Sequence, residues 1–225
     1  MDKIKILKNN FLNITLILAS ANYYLLHNFA SNTFSSRAFE DAGWCSVWTV
    51  VFILLGQVTA IMLAIKSKTI KEFIDFSLLI WVYQVYACRE ADLHRISGKW
   101  HNVTNLKFYT LDDAPIMLKC ITATILIAFG IAAIYLLYKY AFKIAKDFFK
   151  WEPYAVSFTL WGAYLLGAQF LDKIRFFNNS TTPIIKNIEE MGELTASIFA
   201  LLAISQLAVK KYKELNNTSD NKSEN

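Results

Sequence analysis

The chain has 225 residues, of which 55% are hydrophobic and 18% charged, and its formal net charge is +5 at pH 7. The apolar residues form repeated blocks of about 16–23 residues that are almost free of charge, long enough to cross a hydrocarbon core about 30 Å thick. This pattern excludes an ordinary soluble domain. The basic residues are spread over several segments without a nucleic-acid motif, so we expect membrane lipids and no nucleic acid as partners; the sequence does not identify protein partners.

The apolar blocks predict an all-α polytopic membrane protein with about six transmembrane helices in a single domain, residues 1–209. In chain order the predicted spans are 11–30, 44–65, 73–92, 116–138, 154–171 and 194–209. The last span is short, so we expect its helix to begin earlier, near Glu189. The segment after the fourth span, which mixes aromatic residues and lysines, is typical of a helix extension at the membrane interface.

The first apolar block has two interpretations. Lys3, Lys5 and Lys8 precede it and Ala19-Ser20-Ala21 follows, as in a signal peptide with its cleavage site. The apolar part before that triplet is short and is interrupted by Asn13, and hydrophobicity continues beyond the triplet. We therefore favour a first helix that is retained.

Counts of lysine and arginine in the connecting segments predict the orientation. The side that holds both termini carries 14 of the 23 basic residues, and all of these are lysines. This bias predicts that both termini are cytoplasmic. Residues 210–225 are polar and lack apolar periodicity, which predicts a disordered cytoplasmic tail.

The opposite, outer face has a different composition. It holds every histidine, every arginine and 10 of the 18 acidic residues. Lysine alone can direct membrane insertion, so insertion does not explain why imidazole, guanidinium and carboxylate groups are concentrated on this face. Their concentration indicates a binding or catalytic site. The histidines and arginines are His27, His94, His101, Arg37, Arg89, Arg95 and Arg175.

The string READLHR, directly after the third span, carries the first candidate group. Glu90 and His94 are spaced i, i+4 and would share one face of a continuing helix, whereas Asp92 lies off that face. Acidic residues near a helix C-terminus are disfavoured unless a cation offsets them. Arg89 and Arg95 could supply that charge, and so could a metal ion. An ion-pair network and a metal site therefore both remain open.

The string IEEMGEL, at the start of the last helix, carries the second group: Glu189, Glu190 and Glu193. Glutamates in a first turn are favoured by the helix dipole, so ordinary capping is one explanation. Three glutamates within five residues exceed what a cap needs, and Glu193 directly precedes an apolar run where an unpaired charge is costly. Asp172, at the end of the fifth span, could join this group or pair with nearby basic residues.

Two further features have ordinary explanations. Asp112 and Asp113 precede a proline in TLDDAP, and this order is typical of a helix start, so we expect at least one of them to cap the fourth helix. The other would be free for chemistry. Cys45, Cys88 and Cys120 lie near helix ends, where a disulfide is possible, but small buried apolar residues are the favoured interpretation.

READLHR, with FLDKI and IEEMGEL later in the chain, resembles an uncharacterised family of bacterial multi-pass inner-membrane proteins. That family has an Arg-Glu-x-Asp-aromatic-His string, a later Asp and a Glu-Glu pair that opens the last helix; Leu93 replaces the aromatic residue here. The resemblance implies a multi-pass protein of the bacterial inner (plasma) membrane. LDDAPIML is also similar to the Asp-x-x-Pro segment of alkaline ceramidase-like transmembrane hydrolases, but their seven helices and late His-x-x-x-His motif are not matched.

These features favour a metal-dependent enzyme that acts on a lipid or lipid-linked substrate at the outer face. Carboxylates with imidazole suit Zn, Mn or Fe, and such a metal can activate a water. The alternative is a non-catalytic membrane subunit or assembly factor whose outer charges form a structural or docking network, and a transporter comes third. The expected metal ligands are Glu90, His94, Asp172, Glu189, Glu190 and Glu193; the general base is a remaining carboxylate among Glu90, Asp92 and Asp113; Arg89, Arg95 and Arg175 bind the headgroup.

Overall fold

The computed structural model describes the backbone of residues 6, 8–29, 44–91, 100–178 and 183–223, and the side chains of residues 6, 8–20, 45–91, 100–171 and 188–214. Within these residues all regular structure is helical, as the sequence predicts. Six long helices occur in the predicted order, with one short helix in the middle. They are α1 (Phe11–Phe29), α2 (Trp44–Ile65), α3 (Ile70–Glu90), α4 (Leu106–Thr110), α5 (Ile116–Phe149), α6 (Pro153–Asn178) and α7 (Pro183–Ser223).

Among the residues that the structure describes, three helices are long and apolar enough to cross a membrane, which fits a multi-pass membrane protein. They are α2 over Cys45–Ile65, α5 over Ile116–Phe149 and α7 over Ile188–Glu214. The described part of α1 adds a shorter apolar stretch, Phe11–Ser20. Each predicted span coincides with a long helix, while six crossings with cytoplasmic termini stay a prediction.

The bounds of α3 follow from local chemistry. Thr69 is its N-cap, and the Thr69 side chain accepts a hydrogen bond from the backbone N–H of Glu72 at 3.2 Å. This contact is half of a capping box, and it starts the helix ahead of its apolar run. The helix ends at Glu90 with Ala91 as its C-cap. The predicted continuation to His94 lies outside the described residues.

The C-terminal part of α7 differs from the predicted disordered tail, because the helix continues past residue 209 to Ser223. Two ion pairs join the residues directly after 209 to other helices. Lys210 Nζ lies 3.0 Å from Glu152, and Lys211 Nζ lies 2.8 Å from Glu72. These partners are far away in sequence, so composition alone could not reveal them.

The predicted extension of the fourth span is confirmed, since α5 runs to Phe149.

Helix α7 lies at the centre and packs on α1, α2 and, most extensively, α6. Small residues allow the close approach of α6 and α7: a Cβ added to Gly192 would lie 3.2 Å from the Cβ of Ala168. Ala196, Ala200 and Ala203 on α7 are fully buried. Small residues at a helix interface are the usual basis of tight packing between membrane helices.

Tyr83 fixes the middle of α3. It is fully buried, and its hydroxyl donates a 2.8 Å hydrogen bond to the backbone carbonyl of Ala200 in α7. Its ring lies against Gly56 in α2, where an added Cβ would come within 2.6 Å of the ring. This contact sets the position of the end of α3 relative to the start of α7.

Polar side chains inside the bundle find partners on other helices. Asn13 Oδ1 and Gln206 Oε1 each lie 2.7 Å from the Ser157 hydroxyl, which joins α1 and α7 to α6. At the bundle surface, Gln57 donates to the exposed Gln84 at 2.9 Å between α2 and α3. These residues therefore act as neutral links between membrane helices.

All three cysteines are free. Cys45 is buried against Met191 and Leu194, so its predicted role as a small apolar residue is confirmed. Cys88 is half-buried and Cys120 is exposed, so the same interpretation is wrong for Cys120.

Candidate carboxylate site

The end of α3 and the first turns of α7 bring Arg89, Glu90, Glu190 and Glu193 together; these four residues are called the glutamate cluster below. Arg89 Nη2 lies 3.0 Å from Glu193 Oε1, and Arg89 Nη1 lies 3.6 Å from Glu90 Oε1. The carboxyl groups of Glu90 and Glu193 are also within hydrogen-bonding reach of each other. The guanidinium therefore lies beside two adjacent carboxylates.

Two other helices complete the walls of the cluster. Gln169 in α6 donates to Glu193 Oε1 at 3.2 Å, and the Ser46 hydroxyl at the start of α2 lies 3.4 Å from Glu190 Oε2. The ends of α3 and α6 thus meet the starts of α2 and α7 at one end of the bundle. This convergence is what a bundle of alternating helix directions requires.

The cluster is buried and rich in negative charge. The side chains of Glu90 and Glu193 are 7% and 10% exposed, whereas that of Arg89 is 38% exposed. Among the described residues of the cluster, three glutamates stand against one guanidinium. Burying like charges together is costly unless a proton or a cation intervenes.

Two buried oxygens in this region have no hydrogen bond within the described part of the chain: Glu90 Oε1 and the hydroxyl of Tyr86. Tyr86 is 7% exposed, lies one helical turn before Glu90, and its phenol is within electrostatic reach of Arg89 and Glu193. Buried polar atoms in folded proteins nearly always have a partner. Two exceptions one helical turn apart on α3 make this the candidate position for a polar ligand.

Several predicted site residues fall outside the described side chains. Asp92, His94 and Arg95 lie in the range 92–99. Asp172 and Arg175 belong to α6, where only the backbone is described; Asp172 lies three residues after Gln169, which reaches Glu193. Glu189 is described, and it is buried in α7 one turn before Glu193.

The predicted capping role of Asp112 and Asp113 is wrong. Helix α5 begins after Pro115, which makes no side-chain capping bond. Asp113 instead accepts a 2.8 Å hydrogen bond from the indole of Trp100, and Asp112 binds both the ring Nδ1 (2.8 Å) and the backbone N–H (2.6 Å) of His101. These contacts within residues 100–115 override the local preference for a cap.

The ionisation of Asp112 follows from these contacts. Desolvation opposes the charged form, but the hydrogen bonds from the His101 side chain and backbone outweigh it and lower the pKa of the Asp112 carboxyl below its usual value. Asp112 is therefore a carboxylate over the physiological range, held by a histidine of the same segment. The predicted base Asp113 lies next to this pair.

The described residues include no group of three or more His, Cys, Asp or Glu side chains placed to hold a metal ion. Glu90 and Glu193 could supply oxygen ligands, since they lie side by side. Completing a coordination shell would need His94 or Asp172, whose side chains are outside the description. The metal site stays a prediction on this ground.

Sequence reasoning missed Tyr86, Gln169 and Ser46 as members of the site. Tyr86 is spaced i, i+4 from Glu90, so helical geometry placed it on the same face as the predicted carboxylate. Gln169 carried a weaker signal, as a polar side chain inside an apolar run. Nothing in the sequence distinguished Ser46 from other helix-end serines.

We found no protein family, no curated protein and no solved structure that matches this chain. The two family resemblances read from the sequence therefore stay predictions.

Proposed function

We propose that this chain is a six-span protein of a bacterial inner membrane, with both termini in the cytoplasm, and that it is a metal-dependent enzyme acting on a lipid or lipid-linked substrate. The glutamate cluster would be its site, at the outer face. This orientation is supported by the lysine bias of the segments at the opposite end of the bundle.

The observation that carries the proposal is a pair of buried oxygens that have no hydrogen bond within the described part of the chain, Glu90 Oε1 and the Tyr86 hydroxyl, beside a glutamate-rich cluster. A purely structural network would have evolved towards satisfied groups, because each unsatisfied buried polar atom costs about 1–3 kcal/mol. A cation between these oxygens would remove that cost.

The roles of the residues follow from their chemistry. A bound Zn, Mn or Fe ion would make a bound water acidic enough to attack at neutral pH. Arginine binds phosphate and carboxylate through paired N–H donors, so it suits a lipid headgroup. The proposed ligands are Glu90, His94, Asp172 and one or two of Glu189, Glu190 and Glu193; the proposed base is Glu90, Asp92 or Asp113; the headgroup would be bound by Arg89, Arg95 or Arg175.

The second candidate is a non-catalytic membrane subunit or assembly factor. It is favoured by the contacts of Glu193, which pairs with Arg89 at 3.0 Å and accepts from Gln169 at 3.2 Å. Contacts of this kind join three helices and would hold the end of the bundle together. In that case the cluster would be a structural network.

Metal content of the purified protein separates the two candidates. We expect a bound transition metal in the wild type, and its loss in Glu90→Gln and Glu193→Gln. Glu72→Gln is the matched control, because Glu72 is a glutamate at the other end of α3 that is paired with Lys211. A wild type without metal, after preparation free of chelators, would refute the enzyme and leave the second candidate.

Cysteine labelling tests the orientation. Thr104 is exposed in the segment before α4. In a background with Cys45, Cys88 and Cys120 replaced by serine, Thr104→Cys should react with an impermeant reagent added outside intact cells. Protection of this cysteine until the cells are permeabilised would place the glutamate cluster on the cytoplasmic side.

A further inference from the structure

Helix α5 is longer than one crossing of the hydrocarbon core. Its 34 residues extend about 51 Å at 1.5 Å per residue, whereas the core is about 30 Å thick. Residues 120–138 carry no charge and by themselves extend about 28 Å. The last turns of α5, residues 139–149, therefore reach beyond the hydrocarbon core; they are called the α5 extension below.

One side of the α5 extension is held by the bundle. Tyr140, Ile144 and Asp147, spaced three or four residues apart, are partly buried. The Tyr140 hydroxyl donates to Asp75 of α3, and Asp147 accepts from the hydroxyl of Tyr154 in α6. These contacts fix which side of the extension faces away from the protein.

The side facing away carries a stripe of large aromatic residues. Tyr138, Phe142 and Phe149 are 89%, 91% and 80% exposed. Together with the exposed Ala145 they follow the spacing i, i+4, i+7, i+11 of a single helix face. Apolar surface of this extent is unfavourable in water, so the stripe needs an apolar environment.

A stripe of lysines runs beside the aromatic one. Lys143, Lys146 and Lys150 each follow a member of the aromatic stripe by one residue, which places them about 100° further around the helix. They have no ion pair within the described part of the chain, whereas Lys139 on the same stripe is bound by Asp75 at 2.7 Å. Three cationic groups are therefore available to an anionic partner.

The two stripes together select the partner. Aromatic side chains are favoured at the boundary between acyl chains and headgroups, and lysines near a membrane surface are attracted by anionic lipids. An amphipathic helix with lysines on one face and phenylalanines on the other is typical of binding at this boundary. A second copy of the chain complements the surface poorly, because it would bring the same lysines against each other.

The length of α5 is compatible with this placement. A membrane with its headgroup layers is about 40–45 Å thick, so a helix of about 51 Å fits from one headgroup layer to the other at a tilt of about 30°. Transmembrane helices tilt by 0–40°. A tilt towards the aromatic stripe keeps the whole α5 extension within the headgroup layer.

We propose that the α5 extension binds anionic phospholipids, with Phe142 and Phe149 at the ends of the acyl chains and with Lys143, Lys146 and Lys150 on the lipid phosphates. The inference needs only that α5 crosses a membrane. It is independent of the glutamate cluster and of any metal bound there.

Site-directed spin labelling of the full chain in nanodiscs tests the placement. Ala145→Cys, in a background without the native cysteines, puts a nitroxide on the aromatic stripe, and its collisions with a neutral nickel chelate in the water are measured. We expect a collision rate at least about fivefold lower in discs that contain phosphatidylglycerol than in discs of phosphatidylcholine alone. This change corresponds to about 1 kcal/mol, the contribution of one lysine near an anionic surface. Equal rates would overturn the proposal, and high rates in both discs would point to an acidic protein surface as the partner.

Lys143, Lys146 and Lys150 are changed together to test the lysine stripe. Three glutamines should abolish the difference between the two discs, whereas three arginines should preserve it, because arginine keeps the charge and binds phosphate. A difference that survives the glutamines, or one that is lost with the arginines, would overturn the assignment of the lysines.

The matched control removes the same charge elsewhere. Lys66, Lys68 and Lys71 are exposed around the turn between α2 and α3. Changing these three to glutamine should leave the lipid dependence of the label at residue 145 intact. Its loss in this control would mean that overall charge, and not the lysine stripe, attracts the lipid.

Phe142→Ala and Ile131→Ala form a matched pair for the aromatic stripe. Both side chains are exposed on α5, at 91% and 65%, but Ile131 lies within the uncharged part of the helix. Phe142→Ala should raise the collision rate of the label at residue 145 about twofold or more, because apolar area that holds the extension in the membrane is lost. Ile131→Ala should leave the rate unchanged. An unchanged rate in Phe142→Ala would overturn the placement of the aromatic stripe.

Discussion

The two ends of α3 each carry a buried carboxylate, and their surroundings differ. Asp75, near the start, is bound by Lys139 of α5 at 2.7 Å on both oxygens, and the hydroxyls of Tyr135 and Tyr140 also contact it. Glu90, at the other end, has its nearest described cation 3.6 Å away, a second glutamate beside it and one oxygen without a hydrogen bond there.

The difference indicates a structural role for Asp75 and a functional role for Glu90. At Asp75 each charge has a counterpart, and the group joins the peripheral helix α5 to the bundle. At Glu90 one carboxylate oxygen lacks a described hydrogen-bond donor. A buried oxygen without a donor is tolerated where a bound ligand supplies the missing contact. Stability measurements on the two ends should therefore give effects of opposite sign.

The largest expected effect comes from Asp75→Asn. The change keeps the shape of the side chain but leaves Lys139 without its counterion, so the melting temperature should fall by several degrees. Differential scanning fluorimetry in detergent measures it. Glu72→Gln is the control on the same helix, because its pair with Lys211 is more exposed and such pairs contribute at most about 1 kcal/mol. A larger loss for Glu72→Gln than for Asp75→Asn would contradict the assignment of Asp75 as the structural link.

Glu90→Gln should have the opposite sign when both proteins are measured free of metal, because a metal bound only to the wild type would itself raise the melting temperature. It removes one of two adjacent negative charges and gives the side chain a donor for Glu193, so we expect stabilisation of about 1 kcal/mol, or a rise of about 2–4 °C in melting temperature. The affinity for the bound metal should fall by at least about tenfold, since removing even indirect partners of a metal costs that much. If the melting temperature falls instead, Glu90 acts as a structural partner of Arg89 and the two ends of α3 are alike.

Two buried tyrosines on α3 give a finer comparison. Tyr83→Phe removes the bond to the Ala200 carbonyl and should cost about 0.6–1.5 kcal/mol without affecting metal binding. Tyr86→Phe removes a hydroxyl that has no described partner, so stability should change by less than about 0.5 kcal/mol while metal affinity falls. Thermal melting and metal titration of both variants measure these effects. Equal destabilisation of the two variants would show that the Tyr86 hydroxyl is bonded in the apo protein.

The helices were predictable because their apolar blocks have the length of a membrane crossing, whether the helix is mostly exposed, as α5 is, or more than half buried, as α7 is. The start of α3 at Ile70 was not predicted, because the Thr69 cap lies ahead of the apolar run on which the span 73–92 was based. The helical extension of α7 was not predicted; its first residues pair with distant acidic residues, Lys210 with Glu152 and Lys211 with Glu72. Such contacts leave no trace in local composition.

Part of the candidate site was also predictable from the order of the helices. Helix order and alternation place Glu90 near Glu190 and Glu193, and the structure has them together. Which oxygens lack partners depends on side-chain packing, so the importance of Tyr86 was not visible in sequence. The role of Asp112 was misjudged because its partner His101 lies in a loop, where spacing gives no geometry.

The smallest expected effect concerns Asp112 in that loop. Its carboxylate lies outside the helices and, like that of Asp75, is hydrogen-bonded. Contacts with His101 lower the pKa of Asp112, although desolvation opposes them. The stabilisation is therefore present above the unfolded pKa of about 4 and is lost as the pH falls through the lower folded value. Asp112→Asn should melt slightly below the wild type at pH 6, and the gap should be smaller at pH 3. Asp113→Asn is the control, because the partner of Asp113 is the neutral indole of Trp100. A gap between Asp112→Asn and the wild type that persists unchanged at pH 3 would mean that the Asp112 carboxyl contributes through shape and hydrogen bonding, and that its charge contributes nothing.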